Sequence, residues 1–170
     1  NQTKVWQNSI TLWDNVVEKF DIAVVAYNNR GSAKKLKGDL DGAIADFTHA
    51  IKYKPDYKHA IYNRGTAKKD KGDLQEALKD FDLALLLDPN FGEAYHNRGI
   101  VRDNLNDFKG AIEDYTKALE LDPSNYKPYV NRGVSKGKSG DFQGAIDDFN
   151  YVLDKDTKNM GRRYFYYFLH

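Results

Sequence analysis

The sequence predicts an all-α protein, a right-handed α-solenoid built from antiparallel helix pairs. Three observations predict it. Landmark residues return every 34 positions, apolar residues within each copy follow helical spacing, and Gly, Asn or Pro stands where each helix has to end. A unit of this length cannot bury its apolar face alone, so neighbouring copies must stack on one another.

The repeat is clearest in an Asn-Arg-Gly triplet, which occurs at residues 29–31, 63–65, 97–99 and 131–133. An aromatic residue keeps the same step: Phe47, Phe81, Tyr115 and Phe149. A proline closes the first three copies: Pro55, Pro89 and Pro123. These landmarks divide the chain into four repeats, at residues 24–57, 58–91, 92–125 and 126–159.

Each repeat is expected to contain two helices, near residues 26–37 and 41–53 in the first copy. The linker carries Gly-Asp or, at residues 106–107, Asn-Asp. Gly and Asn suit a left-handed residue after a helix, and the Asp can cap the next helix. Asp73 and Glu76 predict a complete capping box. The proline then ends the second helix, because the residue before it avoids the helical region.

The glycine of each triplet lies inside a first helix, where it costs about 0.5–1 kcal/mol relative to alanine. Its recurrence predicts a close backbone approach. We expect each glycine to meet the alanine of the second helix, as in Gly31 with Ala43 and Gly99 with Ala111. The aromatic residue would then fill the space toward the next repeat.

The two ends depart from this pattern. Shifted by 34 positions, Trp6 aligns with Leu40 and Trp13 with Phe47, so residues 1–23 are predicted to be the second helix of a partial preceding repeat. Residues 160–170 place Tyr167 where a small residue would be needed. They are predicted to form a capping helix or a tail that docks on a neighbouring molecule.

On these residues the chain resembles the tetratricopeptide repeat (TPR) family over nearly its whole length. The resemblance implies a superhelix whose first helices line a concave groove. It also implies a protein–protein interaction scaffold that binds a peptide or protein segment in this groove, without a cofactor. The sequence does not identify the partner.

The arginine of each triplet stands where the TPR family usually has an aliphatic residue. A half-buried guanidinium is costly unless it is paired, and an aspartate recurs just before each landmark aromatic residue. The predicted pairs are Arg30 with Asp46, Arg64 with Asp80, Arg98 with Asp114, and Arg132 with Asp148. The alternative is that the arginines point into the groove and bind an acidic peptide.

The asparagines of the triplets are groove candidates, because a carboxamide can hold a peptide backbone. They are Asn29, Asn63, Asn97 and Asn131. The competing interpretation is that they bridge adjacent helices. Tyr62 and His96 are candidate anchors, and Lys35 and Lys69 complete the groove set. The family's clamp for a C-terminal carboxylate is not supported, because Asn28 and Ser32 stand where it needs Lys and Asn.

Composition narrows the function classes. The net charge is +1 with 30% charged residues of both signs, which favours neither nucleic acid nor an anionic membrane as partner. There is no cysteine, and no apolar run reaches the roughly 18 residues of a membrane span. The four histidines lack metal-ligand spacing, and no nucleophile–base pair or phosphate loop is present. We therefore expect a chain that is not an enzyme, in a compartment that the sequence does not fix.

Two alternatives concern the larger context. The segment WQNSITLWDNVVEKF resembles the junction between a multi-span, glycosyltransferase-like membrane region and C-terminal TPRs. This resemblance implies a soluble, extracytoplasmic accessory domain. The other alternative is a self-association module that uses Trp6, Trp13 or residues 164–169.

Overall fold

A computed structural model describes residues 24–155, which form eight α-helices without a strand in that range. The helices are α1 (Val24–Lys37), α2 (Leu40–Tyr53), α3 (Lys58–Lys71), α4 (Leu74–Leu87), α5 (Gly92–Asn104), α6 (Phe108–Leu121), α7 (Tyr126–Lys138) and α8 (Phe142–Lys155). The sequence predictions for residues 1–23 and 160–170 lie outside the described residues.

The helices belong to two compact units. Unit 1 contains α1–α4 and unit 2 contains α5–α8. In each unit, consecutive helices pack against each other, and the two first helices, α1 with α3 or α5 with α7, also touch directly. Each unit is therefore two stacked helix pairs, and the all-α fold predicted from the sequence is confirmed.

Helix ends follow the turn chemistry of the sequence. The residue between paired helices adopts a left-handed backbone: Gly38 (φ 89°), Gly72 (φ 94°), Asn106 (φ 62°) and Gly140 (φ 90°). The residue before each of Pro55, Pro89 and Pro123 leaves the helical region, as at Asp88 with φ −143° and ψ 95°. These residues end the helices at the positions expected from their backbone preferences.

The capping box predicted at Asp73 and Glu76 is wrong. Three of the equivalent aspartates accept a hydrogen bond from a glycine N–H at 2.9–3.0 Å: Asp39, Asp107 and Asp141. Asp73 makes no such side-chain bond. A Cβ added at Gly42 would lie 2.2 Å from the capping carboxylate of Asp39. Glu76 carries a Cβ at the equivalent position, so the Asp73 carboxylate does not take the position that Asp39 takes, and it lies 3.5 Å from Lys71 Nζ.

The expected glycine-to-alanine contact is also wrong. A Cβ on Gly31 would lie 2.8 Å from the ring of Phe47, and one on Gly99 would lie 2.6 Å from the ring of Tyr115. The glycine thus makes room for the aromatic ring of its own repeat, because a side chain at the glycine position would clash with that ring. Ala43 instead packs with Phe47 against Ala67 of the following helix pair. The seam between repeats is therefore formed by alanines and the aromatic residue together.

Candidate functional site

The structure brings together all four arginine–aspartate pairs. In each pair, arginine Nε donates to one carboxylate oxygen at 2.7–2.9 Å and Nη2 donates to the other at 2.5–2.6 Å. The aspartate side chains are 2–6% exposed. This two-bond geometry is the strongest form of an arginine–carboxylate contact, and it crosses from the first helix to the second helix of each repeat.

A second cation, which the sequence argument did not identify, reaches each buried carboxylate. It stands four residues after the arginine, at 2.8–3.0 Å from the aspartate: Lys34, Lys68, Arg102 and Lys136. Its signal in the sequence was a basic residue at the same place in every repeat. Each aspartate therefore neutralises part of the charge of two partly buried cations.

The guanidinium groups have further contacts within their units. Those of Arg30, Arg98 and Arg132 lie 5.4–5.5 Å from the centre of a tyrosine ring on the preceding helical turn. Arg64 Nη1 lies 3.3 Å from the Thr48 hydroxyl of the preceding repeat. Ring face, carboxylate and hydroxyl together fix these side chains within the helix packing.

On the first helices of unit 1, three carboxamides form a row. Asn63 Nδ2 donates to Asn28 Oδ1 at 2.9 Å, which joins α3 to α1. Asn28 Nδ2 in turn donates to Asn29 Oδ1 at 3.4 Å. Tyr62 is half-buried, with its ring centre 5.9 Å from that of Phe81 on the second helix of the same repeat. The asparagines of this unit thus lie together on one face of α1 and α3.

Two lysines extend this face toward the C-terminal ends of α1 and α3. Lys35 Nζ and Lys69 Nζ each lie 3.5 Å from a different oxygen of the Asp70 carboxylate. The side chains are 28% and 19% exposed, and that of Asp70 is 40% exposed. The Asp70 carboxylate therefore lies between two ammonium groups and contacts each of them at 3.5 Å.

The first helices of unit 2 carry a different set of contacts. Asn131 Nδ2 lies 2.9 Å from His96 Nε2, and since the amide nitrogen donates, this ring nitrogen accepts. The His96 ring also lies 5.8 Å from the Tyr115 ring, centre to centre. Asn97 donates to the Glu93 carbonyl of its own helix at 3.0 Å. Asn131, like Asn63, thus bridges adjacent first helices.

Unit 2 also contains a polar cluster that the sequence argument missed. Tyr115 Oη donates to Asp103 at 2.8 Å, and the fully buried Ser135 hydroxyl lies 2.8 Å from both oxygens of the same carboxylate. Burial, and secondarily the Asp103 charge, raises the pKa of Tyr115. The signal in the sequence was Tyr115 at a position where the other repeats have Phe, together with Ser135 at a position where they have Ala or Val.

Between residues 24 and 155, no group of three or more His, Cys, Asp or Glu side chains is arranged to hold a metal ion. In that same part of the chain, no helix combines the length and the hydropathy needed to span a membrane.

Comparison with known proteins supports the repeat architecture. Family models described as tetratricopeptide repeat match residues 24–57, 60–91 and 92–125. No curated protein matches the chain. The similar solved structures include MamA, which is 22% identical, with 91% of each chain covered and a TM-score of 0.85.

Two other similar structures are described by what they bind. YrrB, described as a TPR protein with an unusual peptide-binding site, is 20% identical with a TM-score of 0.78 over 94% of this chain and 82% of its own. The first TPR of Spaghetti (RPAP3), bound to the HSP90 peptide SRMEEVD, is 25% identical with a TM-score of 0.68 over 69% and 93%. With its matched repeats and its fold, this chain belongs to the tetratricopeptide repeat family.

Proposed function

We propose that this chain is a protein-interaction scaffold whose first-helix faces bind an extended peptide segment. The observation that carries the proposal is the row of carboxamides Asn28, Asn29 and Asn63 across α1 and α3. A carboxamide offers both a donor and an acceptor, which match the N–H and C=O groups of an extended backbone. Asn63 bonds to Asn28 through its amide nitrogen. The side-chain oxygen of Asn63 is therefore the atom that would accept a hydrogen bond from a peptide N–H.

The arginines of the triplets take a structural role in this proposal. Both guanidinium nitrogens that face the second helix are engaged by a buried aspartate, as in Arg64 with Asp80. A ligand carboxylate would have to compete with that pair. Arg64→Leu should therefore destabilise the fold; unchanged unfolding together with lost peptide binding would instead assign the arginine to the binding face.

The solved neighbours support a peptide ligand by analogy. YrrB and the Spaghetti domain are both described with bound or binding peptides, and this chain shares their fold. A shared fold does not carry a binding site with it, so the argument depends on the residues of this chain.

The test begins with selection of twelve-residue peptides from a random library on the purified chain. We expect the selected peptides to lose at least about fivefold in affinity for an Asn29→Ala/Asn63→Ala variant, since each lost buried hydrogen bond weakens binding by about 0.5–1.5 kcal/mol. The matched control is Lys79→Ala/Lys117→Ala, which alters two exposed side chains on second helices. Equal losses in both variants would contradict the proposal.

Self-association is a second candidate, favoured by an exposed apolar face on α8. The side chain of Phe142 is 70% exposed and that of Ile146 is 49% exposed. The residue equivalent to Ile146 in the first repeat, Ile44, packs against the cluster of Ala43, Phe47 and Ala67. Light scattering across a dilution series tests this candidate, because a mass of one chain at every concentration would rule it out.

Two sequence predictions remain predictions. Self-association through Trp6, Trp13 or residues 164–169 depends on segments outside the described residues. The accessory domain of a glycosyltransferase-like membrane protein rests on residues 6–20, which also lie outside the described part of the chain.

A further inference from the structure

We infer that an acidic side chain of the bound peptide lies between Lys35 and Lys69, in a subsite that the Asp70 carboxylate occupies in the free protein. The inference rests on the proposed function, since it names the class of peptide that the unit 1 face takes. Its residues differ from Asn28 and Ser32, the positions that the family's carboxylate clamp would use.

Charge in unit 1 is divided sharply between first and second helices. Helix α1 has four basic residues and no acidic one, and α3 has five basic residues and one acidic one, so together they carry 4 + 5 − 1 = +8. Helix α2 carries 1 − 2 = −1 and α4 carries 1 − 3 = −2. First helices with this excess of positive charge attract acidic segments and speed their association.

Most of these cations are already held by closer partners. Lys34 and Lys68 lie 2.8–2.9 Å from the buried carboxylates of Asp46 and Asp80. Lys71 lies 2.7 Å from Asp41. The contacts of Lys35 and Lys69 with Asp70 are longer, at 3.5 Å each.

The Asp70 contact is one that a ligand can replace. An ion pair at 3.5 Å between partly exposed groups contributes little to stability, and its carboxylate can turn into solvent at low cost. A peptide carboxylate that entered between the lysines would make the same two contacts while its backbone met the carboxamide row. Asp70 thus acts as an internal competitor that weakens binding of acidic segments.

The lysines at the ends of α1 and α3 also complement the partial negative charge of a helix C-terminus. That effect accounts for a basic last turn in each helix. It does not account for two lysines at equivalent positions of adjacent helices that share one carboxylate. In unit 2 the same positions hold Asp103 and Gly137, so this pair is specific to unit 1.

The test uses a capped twelve-residue peptide of alternating glutamate and serine and its glutamine–serine counterpart. At low salt, we expect the glutamate peptide to bind at least about tenfold more tightly than the glutamine peptide. Lys35→Gln/Lys69→Gln should remove about tenfold of its affinity, and the exposed pair Lys79→Gln/Lys117→Gln less than about twofold. Asp70→Asn should raise the affinity by about threefold, because it removes the competing charge.

Several results would overturn the inference. One is an equal loss in the two double-lysine variants, and another is an Asp70→Asn variant that binds no better than the parent. A third is a single-stranded oligonucleotide or an anionic phosphatidylserine vesicle that binds through these lysines while the glutamate peptide does not. If library-selected peptides bind but the glutamate peptide does not, this inference fails alone; if neither binds, the proposed function fails with it.

Discussion

Units 1 and 2 have the same internal ion pairs but different first-helix faces. In unit 1 the face combines a carboxamide row with Lys35 and Lys69. In unit 2 it combines the Asn131–His96 contact with the acidic Asp103. The arginine–aspartate pairs that hold each helix pair together therefore recur in both units, whereas residues at the surface of the same helices differ between them.

The interiors also differ at the landmark aromatic residue. Unit 1 places Phe47 and Phe81 against the glycine of each repeat, whereas unit 2 places Tyr115 against Gly99 and Phe149 against Gly133. A buried hydroxyl requires a partner, and Asp103 supplies it. Asp103 therefore links the interior of unit 2 to its face, a connection that phenylalanine does not make in unit 1.

The largest expected effect tests what the units share. Asp80→Ala in unit 1 and Asp114→Ala in unit 2 each remove an anion from two partly buried cations, which should cost about 3–5 kcal/mol of unfolding free energy. Urea denaturation followed by far-UV circular dichroism measures both. The exposed Asp147→Ala is the control and should change stability by less than about 0.5 kcal/mol. A large effect in one unit and none in the other would refute a common role.

The next effect tests what unit 2 has alone. Tyr115→Phe restores the residue type of the other repeats but removes a hydrogen bond to a charged group, so we expect a loss of about 1.5–3 kcal/mol. Native-state hydrogen exchange should place the faster exchange in α5–α7 and leave α1–α4 unchanged. A variant as stable as the parent would show that the hydroxyl contributes nothing to the fold.

A smaller difference should separate the glycines. A methyl group at Gly99 would lie 2.6 Å from the Tyr115 ring, and one at Gly65 would lie 3.0 Å from the Phe81 ring. Overpacking of about 1–3 kcal/mol then outweighs the helix preference of alanine, with the larger loss for Gly99→Ala. Gly137→Ala is the control, because its nearest neighbour is 3.9 Å away, and it should stabilise by about 0.5–1 kcal/mol in thermal or urea melts.

The smallest effect appears at alkaline pH. Burial raises the pKa of Tyr115 in the folded state above the value of about 10 that it has in the unfolded chain. The folded protein then keeps a proton that the unfolded chain releases, so this contribution is full below about pH 10 and is lost as pH rises further. Between pH 10 and 11 the parent should lose about 1 kcal/mol more stability than Tyr115→Phe. Parallel pH profiles for the two proteins would contradict this assignment.

Residue spacing was enough to predict the arginine–aspartate pairs, but it did not predict the second cation that contacts each aspartate. Arg64 and Asp80 recur together in sequence, and the structure joins them by two bonds. A basic residue also recurs at the position of Lys68. Whether its side chain reaches the buried aspartate depends on the direction of that side chain, which the neighbouring helix sets. The same holds for Asp103, whose partners lie 12 and 32 residues away.

The sequence by itself determined the helices, their ends and the repeat, because these depend on backbone preferences and on periods within a few residues of each position. It also determined that arginine and aspartate recur in step. Only the tertiary structure decided what each glycine faces and that Asp70 lies between Lys35 and Lys69. Those outcomes depend on side-chain volume and direction across two packed helices, which a linear pattern does not contain.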